Sequence, residues 1–262
     1  MARRVDLAEF LRARRAAISP QQAGLVAGDR RRTPGLRREE VALLAGVSVS
    51  WYTWLEQGRL INVSVDVLDA LGRALRLDAV EQAYLAELAG HHREPSEVEP
   101  RPQVPAWARH LLDALEPAPA YLLGPTWDYL AWNTAQAALF PPLATLAPAD
   151  RNLVWAMFAV PETRELLVDW ESDARQVLSQ FRSETSAIRD APPVVDLVAR
   201  LLAASGEFAA WWGRHDVAAF TSRRRRFHHP TQGDVSFEYQ QLVVAGVPDL
   251  RLVVQLPLTD GG

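Results

Sequence analysis

The side chains best equipped for chemistry are short polar groups set beside a cluster of guanidiniums. Residues 30 to 59 read RRRTPGLRREEVALLAGVSVSWYTWLEQGR. Arg30, Arg31, Arg32, Arg37, Arg38 and Arg59 carry permanent positive charge suited to phosphate oxygens. Ser48, Val49, Ser50, Thr53 and Trp54 follow one another at the spacing of a helix face, as groups that meet base edges do. Catalytic candidates are poorer. His91-His92 and His228-His229 are adjacent pairs, and the first lies in a proline-rich stretch. Neighbouring residues on a strand point to opposite faces, so neither pair suits one metal ion. There is no cysteine, which removes disulfides, zinc fingers and thiol catalysis. All 28 basic residues are arginine, so no P-loop or Schiff-base lysine exists. No His-Glu-x-x-His, Gly-x-Ser-x-Gly or glycine-rich phosphate loop occurs, and acids such as Asp128 and Asp169 lack an identifiable partner. A non-enzyme with neither metal nor cofactor is expected.

The elements that must hold the polar face can be read locally. Glu39 to Ala45 is a run of helix formers whose Val41, Leu44 and Ala45 are expected inside. Gly46 stops it, and Val47 would plug the angle to a second helix. Ser48 is placed as N-cap of that helix, with Tyr52 and Leu55 turned inward and Val49, Ser50, Thr53 and Trp54 outward. Gly58 ends it. Such a helix fits a major groove about 12 Å wide.

The stretch AGVSVSWYTWLEQG resembles the helix-turn-helix of the xenobiotic-response-element (XRE) group of regulators, and RRRTPGLRREEVA resembles its MmyB-like branch. The resemblance implies double-stranded DNA as partner. It also implies that Arg14 or Arg15, on the first helix, holds Glu56 near the end of the reading helix, although solvated arginines are the plain alternative. One position departs from the family pattern: Trp54 stands where a polar or basic residue is expected.

Charge is distributed to match. The net formal charge is −4, yet the first 38 residues hold ten arginines against three acids, and the chain from residue 93 holds 15 against 21. Phosphate should meet the N-terminal part. Residues 5 to 18 form a helix with Leu7, Phe10, Leu11, Ala17 and Ile18 on one side. Residues 19 to 36 carry two prolines, three glycines and the arginine triplet, so they read as an arm lying against phosphates or as a solvated loop. Ser64 and Asp78 open two further helices, completing a five-helix domain. Residues 91 to 105 hold four prolines and read as a semi-rigid linker. Domains are expected at 1–92 and 105–262, joined by 93–104.

The second half changes period. Residues 106 to 115 are helical, 120–124 and 127–132 form a hairpin, and Asn133 caps a helix broken at Pro141 and Pro142. Helical patterns occupy 151–159, 163–189, 193–204 and 207–215, and strands return at 223–229, 234–244 and 250–258. Two strands, a helical block and three antiparallel strands give a five-stranded sheet with helices over one face, the order of a PAS-type sensor. The whole is a multi-domain α and α+β chain. Its segments AYLLGPTWDYLAWN, DRNLVWAMF, FAAWWGRHDV and FHHPTQGDVSFEY resemble the MmyB-like ligand-binding domain. The resemblance implies a small apolar, fatty-acid-like ligand held between sheet and helices. Trp127, Trp132, Trp155, Phe158 and Trp211 would suit an acyl chain, although tryptophans fill ordinary cores as well. His215, Arg226 and Tyr239 are candidates for a carboxylate head. A homodimer is expected. No apolar run reaches the ~18 residues that span a bilayer, and the start lacks a signal-peptide core, so a cytoplasmic location is expected. Two alternatives to a DNA-binding sensor remain: a ligand-free dimerisation domain on the same DNA-binding head, or an enzyme using the C-terminal cavity.

Overall fold

The computed structural model describes residues 2–25, 34–90, 103–229, 231–244, 247 and 250–258. The triplet Arg30 to Arg32, the pair His91-His92 and residues 93–102 of the expected linker lie outside the described residues. The chain divides into two compact units: residues 1–95 with 182–187 and 212–218, and the remainder.

Five helices make up the N-terminal chain: α1 (Ala2–Ala17), α2 (Arg38–Ala45), α3 (Val49–Glu56), α4 (Val65–Ala74) and α5 (Ala79–Leu88). Their amphipathic faces bury Phe10, Leu11, Val41, Tyr52, Leu55, Leu71 and Leu85 in one core. Gly46 closes α2 at a left-handed φ of 67°, a conformation that costs a side-chain-bearing residue free energy. Ser48 then caps α3 by accepting from the Trp51 backbone N–H at 3.1 Å. Asp78 caps α5, accepting from Val80 and Glu81 N–H groups at 2.8 Å. Gly35 lies against the end of α1, where a Cβ would meet the Ala16 carbonyl oxygen at 2.5 Å. One inward expectation fails. Leu44 is exposed, and α2 instead buries Val41, Ala42 and Ala45. The two alanines let α2 pack closely on α4, leaving the bulkier leucine no room on that face. Ala17 is likewise exposed, because it sits in the last turn of α1, beyond the helices that cover Leu7 to Leu11.

In the second unit α6 (Ala106–Ala114) leads into β1 (Ala120–Leu123) and β2 (Tyr129–Trp132). Seven helices follow: α7 (Thr134–Leu139), α8 (Pro142–Thr145), α9 (Leu153–Ala159), α10 (Pro161–Leu166), α11 (Trp170–Glu184), α12 (Pro192–Ala204) and α13 (Gly206–Trp212). The chain ends in β3 (Arg223–His229), β4 (Gly233–Val243) and β5 (Arg251–Pro257). The antiparallel sheet has the order β2-β1-β5-β4-β3, so the last strand returns to pair with the first. Helices were expected over one face only. The structure covers both, since Ala108 and Leu112 of α6 pack on Ala120, Leu122, Leu252 and Val254, while the opposite-facing Tyr121 and Gln255 look toward α7 and α9. That is why β1 is apolar throughout rather than alternating. The single helix expected over 163–189 is two, because Leu167 bridges to Phe227 and the Val168 N–H donates to the Arg226 carbonyl at 3.1 Å.

Candidate DNA interface and ligand cavity

The reading face is built from the core outward. With Tyr52, Leu55 and Glu56 buried, the 100° step per residue leaves Val49, Ser50 and Trp54 exposed and Thr53 half-buried on the far side of α3. Val47 is half-buried against the core at the turn. The Arg59 guanidinium lies 5.6 Å from the centre of the Trp54 ring, a cation over an aromatic face. Arg37 is exposed at the start of α2, where the Glu40 carboxylate accepts from its backbone N–H at 2.6 Å. Serine and threonine hydroxyls and a flat indole thus share the outer face of α3, with the Arg59 guanidinium against the indole.

Behind that surface a charged knot fixes α3. The Glu56 side chain has no exposure, and it accepts from Arg15 Nε at 2.5 Å and Nη2 at 3.2 Å and from Arg38 Nε at 2.6 Å. Arg15 Nη1 also donates to the Leu36 carbonyl at 2.9 Å, and Arg12 Nη1 to the Glu56 carbonyl at 2.8 Å. Burial alone would raise the Glu56 pKa, but its bonds and charges from Arg15 and Arg38 outweigh that and hold it below the ordinary carboxylate value. Of the two arginines implied for this role, Arg15 holds Glu56, whereas Arg14 ion-pairs with Glu81 at 2.6 Å. Arg38, expected on phosphate, donates its Nε to Glu56 and keeps 45% of its side chain exposed. Nothing in the local pattern links Arg38 to Glu56, which lies 18 residues on; only the close packing of α2 and α3 brings them together.

The ligand residues expected from the sequence are scattered by the fold. Trp127 is fully buried with its ring edge on Phe181, 5.7 Å between centroids. Trp132 lies under Arg151, and Trp155 under Arg200. Phe158 and Trp211 belong to an aromatic cluster with Trp170 and Phe208. His215 lies with the first unit, its ring nitrogens 2.8 Å from Arg182 and 3.1 Å from Glu9. Burial, then the Arg182 charge, push its pKa down to about 4, so it is neutral at physiological pH and supplies no cationic head. Arg226 is exposed and paired with Asp169 at 2.9 Å. None of these seven side chains lines the cavity between sheet and helices; Trp127 and Trp211 are buried, whereas Trp132, Trp155 and Phe158 are only half-buried.

A cavity between sheet and helices is nonetheless present, lined by other residues. Tyr121 and Tyr129 on β1 and β2, Arg225 and Phe227 on β3 and Gln255 on β5 face Leu139, Phe140, Leu153, Ala156, Met157 and Leu167. Its free volume is about 40 Å³. Tyr239, the remaining expected residue, shares the sheet face of Gln255 and Arg225 beside the cavity, its hydroxyl 3.3 Å from that of Tyr121 and its ring 4.0 Å from the Arg225 guanidinium. Burial raises the Tyr121 and Tyr129 pKa values well above the ordinary range, so both remain neutral donors. Arg225 was missed by the sequence reading. Its signal was alternation: on β3 it shares a face with Phe227, two residues on, while Arg224 and Arg226 point to solvent.

Among the described residues no helix is long and apolar enough to cross a membrane, and no group of three or more potential metal ligands occurs. A model of a helix-turn-helix domain matches residues 6–85. A model of the MmyB-like transcription regulator ligand binding domain matches residues 104–260. No curated protein matches the chain. A helix-turn-helix whose second helix is fixed by an arginine-held glutamate therefore precedes a domain with a sheet-and-helix cavity, and the chain belongs to the MmyB-like transcription regulators, DNA-binding proteins with a ligand-binding domain.

Proposed function

We propose that the protein is a sequence-specific regulator that reads DNA with α3 and senses a fatty-acid-like molecule in the cavity of its C-terminal domain. The reading divides the chain into 1–92, a linker of 93–104 and a ligand-binding and dimerising domain of 105–262. It places the protein in the cytoplasm, on DNA, as a homodimer whose two reading helices meet half-sites about 34 to 36 Å apart. The cavity carries the sensing part: an apolar enclosure with a few convergent polar groups is the usual form of a small-molecule site. One observation favours a second reading, a ligand-free dimerisation domain. A free volume of about 40 Å³ holds water rather than an acyl chain unless side chains move. Solvent extraction and mass spectrometry of the purified protein separate the two. A stoichiometric acyl acid supports sensing, and its absence after growth with added fatty acid supports the ligand-free domain.

Two expected outcomes test the DNA face. Replacing Ser50 or Thr53 by alanine should cost about 1 to 3 kcal/mol on an operator selected from random sequence and almost nothing on unrelated DNA, by gel-shift titration. Equal losses on both would remove the base-reading role. Neutralising Arg30, Arg31 and Arg32 together should flatten the plot of log affinity against log salt by ~0.9 for each arginine that meets a phosphate, on any sequence. An unchanged slope would make the segment a solvated loop.

A further inference from the structure

Strand β2 lies at an edge of the sheet, and an open groove of about 510 Å³ runs beside it. Val104 and Arg109 border the groove from the α6 side, Leu130 and Trp132 from β2, and Pro148 and Arg151 from the segment between α8 and α9. Its volume is that of an ordinary small-molecule site. No carboxylate is among the residues that line it, although the chain from residue 93 carries 21 acids against 15 arginines. A cationic groove in an acidic part of the chain marks a place where an anion is welcome.

Arg151 is fixed at two points. Its backbone carbonyl accepts from the Tyr129 N–H at 2.8 Å, and its Nε donates to the Leu146 carbonyl at 3.1 Å, so neither Nη group takes part in the anchoring. Among the described residues Arg151 has no carboxylate partner, and Arg109, exposed on α6, has none either. Other arginines of the same unit differ. Arg164, Arg175 and Arg200 lie 3.8, 4.1 and 4.2 Å from the ring centres of Trp170, Trp211 and Trp155, and each is ion-paired, to Glu207, Glu171 and Asp150. Those indoles are capped and those charges balanced. Arg151 stands 5.6 Å from the ring centre of half-buried Trp132, and Asp150, the acid next to it in the chain, is taken by Arg200. The groove therefore keeps an indole that no guanidinium covers closely and two unbalanced positive charges.

We propose that this groove is a second ligand site, separate from the cavity, for a phosphate monoester of a flat aromatic ring system, a nucleoside monophosphate being its plainest member. The ring lies on the Trp132 indole, and the phosphate is held by Arg109 and Arg151. Guanidiniums match phosphate oxygens in geometry as well as charge, and a base gains free energy by stacking on an aromatic side chain. A phosphate dianion balances both arginines, whereas a monoanion would leave one of them unmatched.

Full-length protein is titrated in a calorimeter with adenosine monophosphate, adenosine and inorganic phosphate. The monophosphate should bind with a Kd below about 1 mM and roughly 10- to 100-fold more tightly than either part alone, the margin of a charge-assisted bond. Arg109→Gln, at an exposed side chain with no ion pair to lose, should weaken the monophosphate roughly tenfold. Trp132→Leu should also weaken it roughly tenfold, the scale of one base stacked on an aromatic ring, and erase its advantage over inorganic phosphate. Because Trp132 is half-buried and its replacement can disturb β2, a measurement on the unaltered protein stands on its own. Photoactivated 8-azidoadenosine monophosphate should label the peptide that carries Trp132 or the one that carries Arg151. Equal affinity for the monophosphate and adenosine, natural affinity in Arg109→Gln, or label confined to residues 1–92 overturns the site. So does failure of the monophosphate to bind at millimolar concentration.

Discussion

Replacing Glu56 by alanine should destabilise the N-terminal domain by about 3 kcal/mol and abolish operator binding with it. The figure is the lower end for breaking a buried ion pair, where the loss comes chiefly from what remains behind. The Glu56 side chain has no exposure, Arg15 is 19% exposed and Arg38 is 45% exposed, so Arg15 would lose its carboxylate in a confined place while Arg38 could turn to water. The position also orients the reading helix, since Arg15 reaches the carboxylate from α1 and Arg38 from α2. Glu56→Gln keeps the shape and some hydrogen bonding but not the charge, and should cost less. The pH dependence has a definite sign. The folded pKa of Glu56 lies below its ordinary value, so its stabilisation is complete above the ordinary carboxylate range and is lost as pH falls through the lowered folded value. The gap in stability between the natural protein and Glu56→Gln should therefore close on acidification. Urea denaturation followed by hydrogen exchange at the α3 amides reads both effects. A loss under about 1 kcal/mol for Glu56→Ala at neutral pH, the scale of a surface pair, would show that the knot is not structural.

The two halves of the chain differ in how far the sequence exposes them, and the difference is one of range. In α2 and α3 the determinants are a few residues apart: Gly46, the Ser48 cap and the inward Tyr52 and Leu55 all act within one or two turns. Leu44 was misplaced because only the approach of α4, about twenty residues on, decides that alanines rather than leucines face inward. The sheet was legible as an order of strands, but not its two-sided burial, which depends on α6 folding back over β1 and β5. The cavity lining is the least legible. Residue type draws attention to tryptophans, whereas position brings Tyr121, Tyr129 and Arg225 to the cavity, where Arg225 faces Leu139 across 86 residues of chain. In the run Arg223 to Arg226 every residue is identical. The register with Phe227, and the carboxylate of Asp173 some fifty residues earlier, pick out the buried one.

Dodecanoic acid should change the operator affinity of the full-length protein by about 5- to 150-fold, and dodecanol should change it far less. The magnitude is the usual range for coupling between two sites in one protein. A ligand shifts DNA binding only if it binds the DNA-competent and incompetent conformations unequally, and tight binding without that difference shifts nothing. The cavity offers a cause for inequality. Its free volume of about 40 Å³ cannot take a twelve-carbon chain, so occupancy requires Phe140, Leu166 and their neighbours on α7, α8 and α10 to move. Because interiors are close-packed, such a displacement is passed to whole helices rather than absorbed locally. Alcohol and acid share the chain but not the charge, so a response to the acid alone assigns the switch to recognition of the carboxylate. Linkage supplies an independent check: operator DNA must change the affinity for dodecanoic acid by the same factor, in the same direction. Fluorescence titrations of each ligand in the presence and absence of the other give both factors. If the two disagree, the measured change is not equilibrium coupling. If both are one, the C-terminal cavity has no part in DNA recognition.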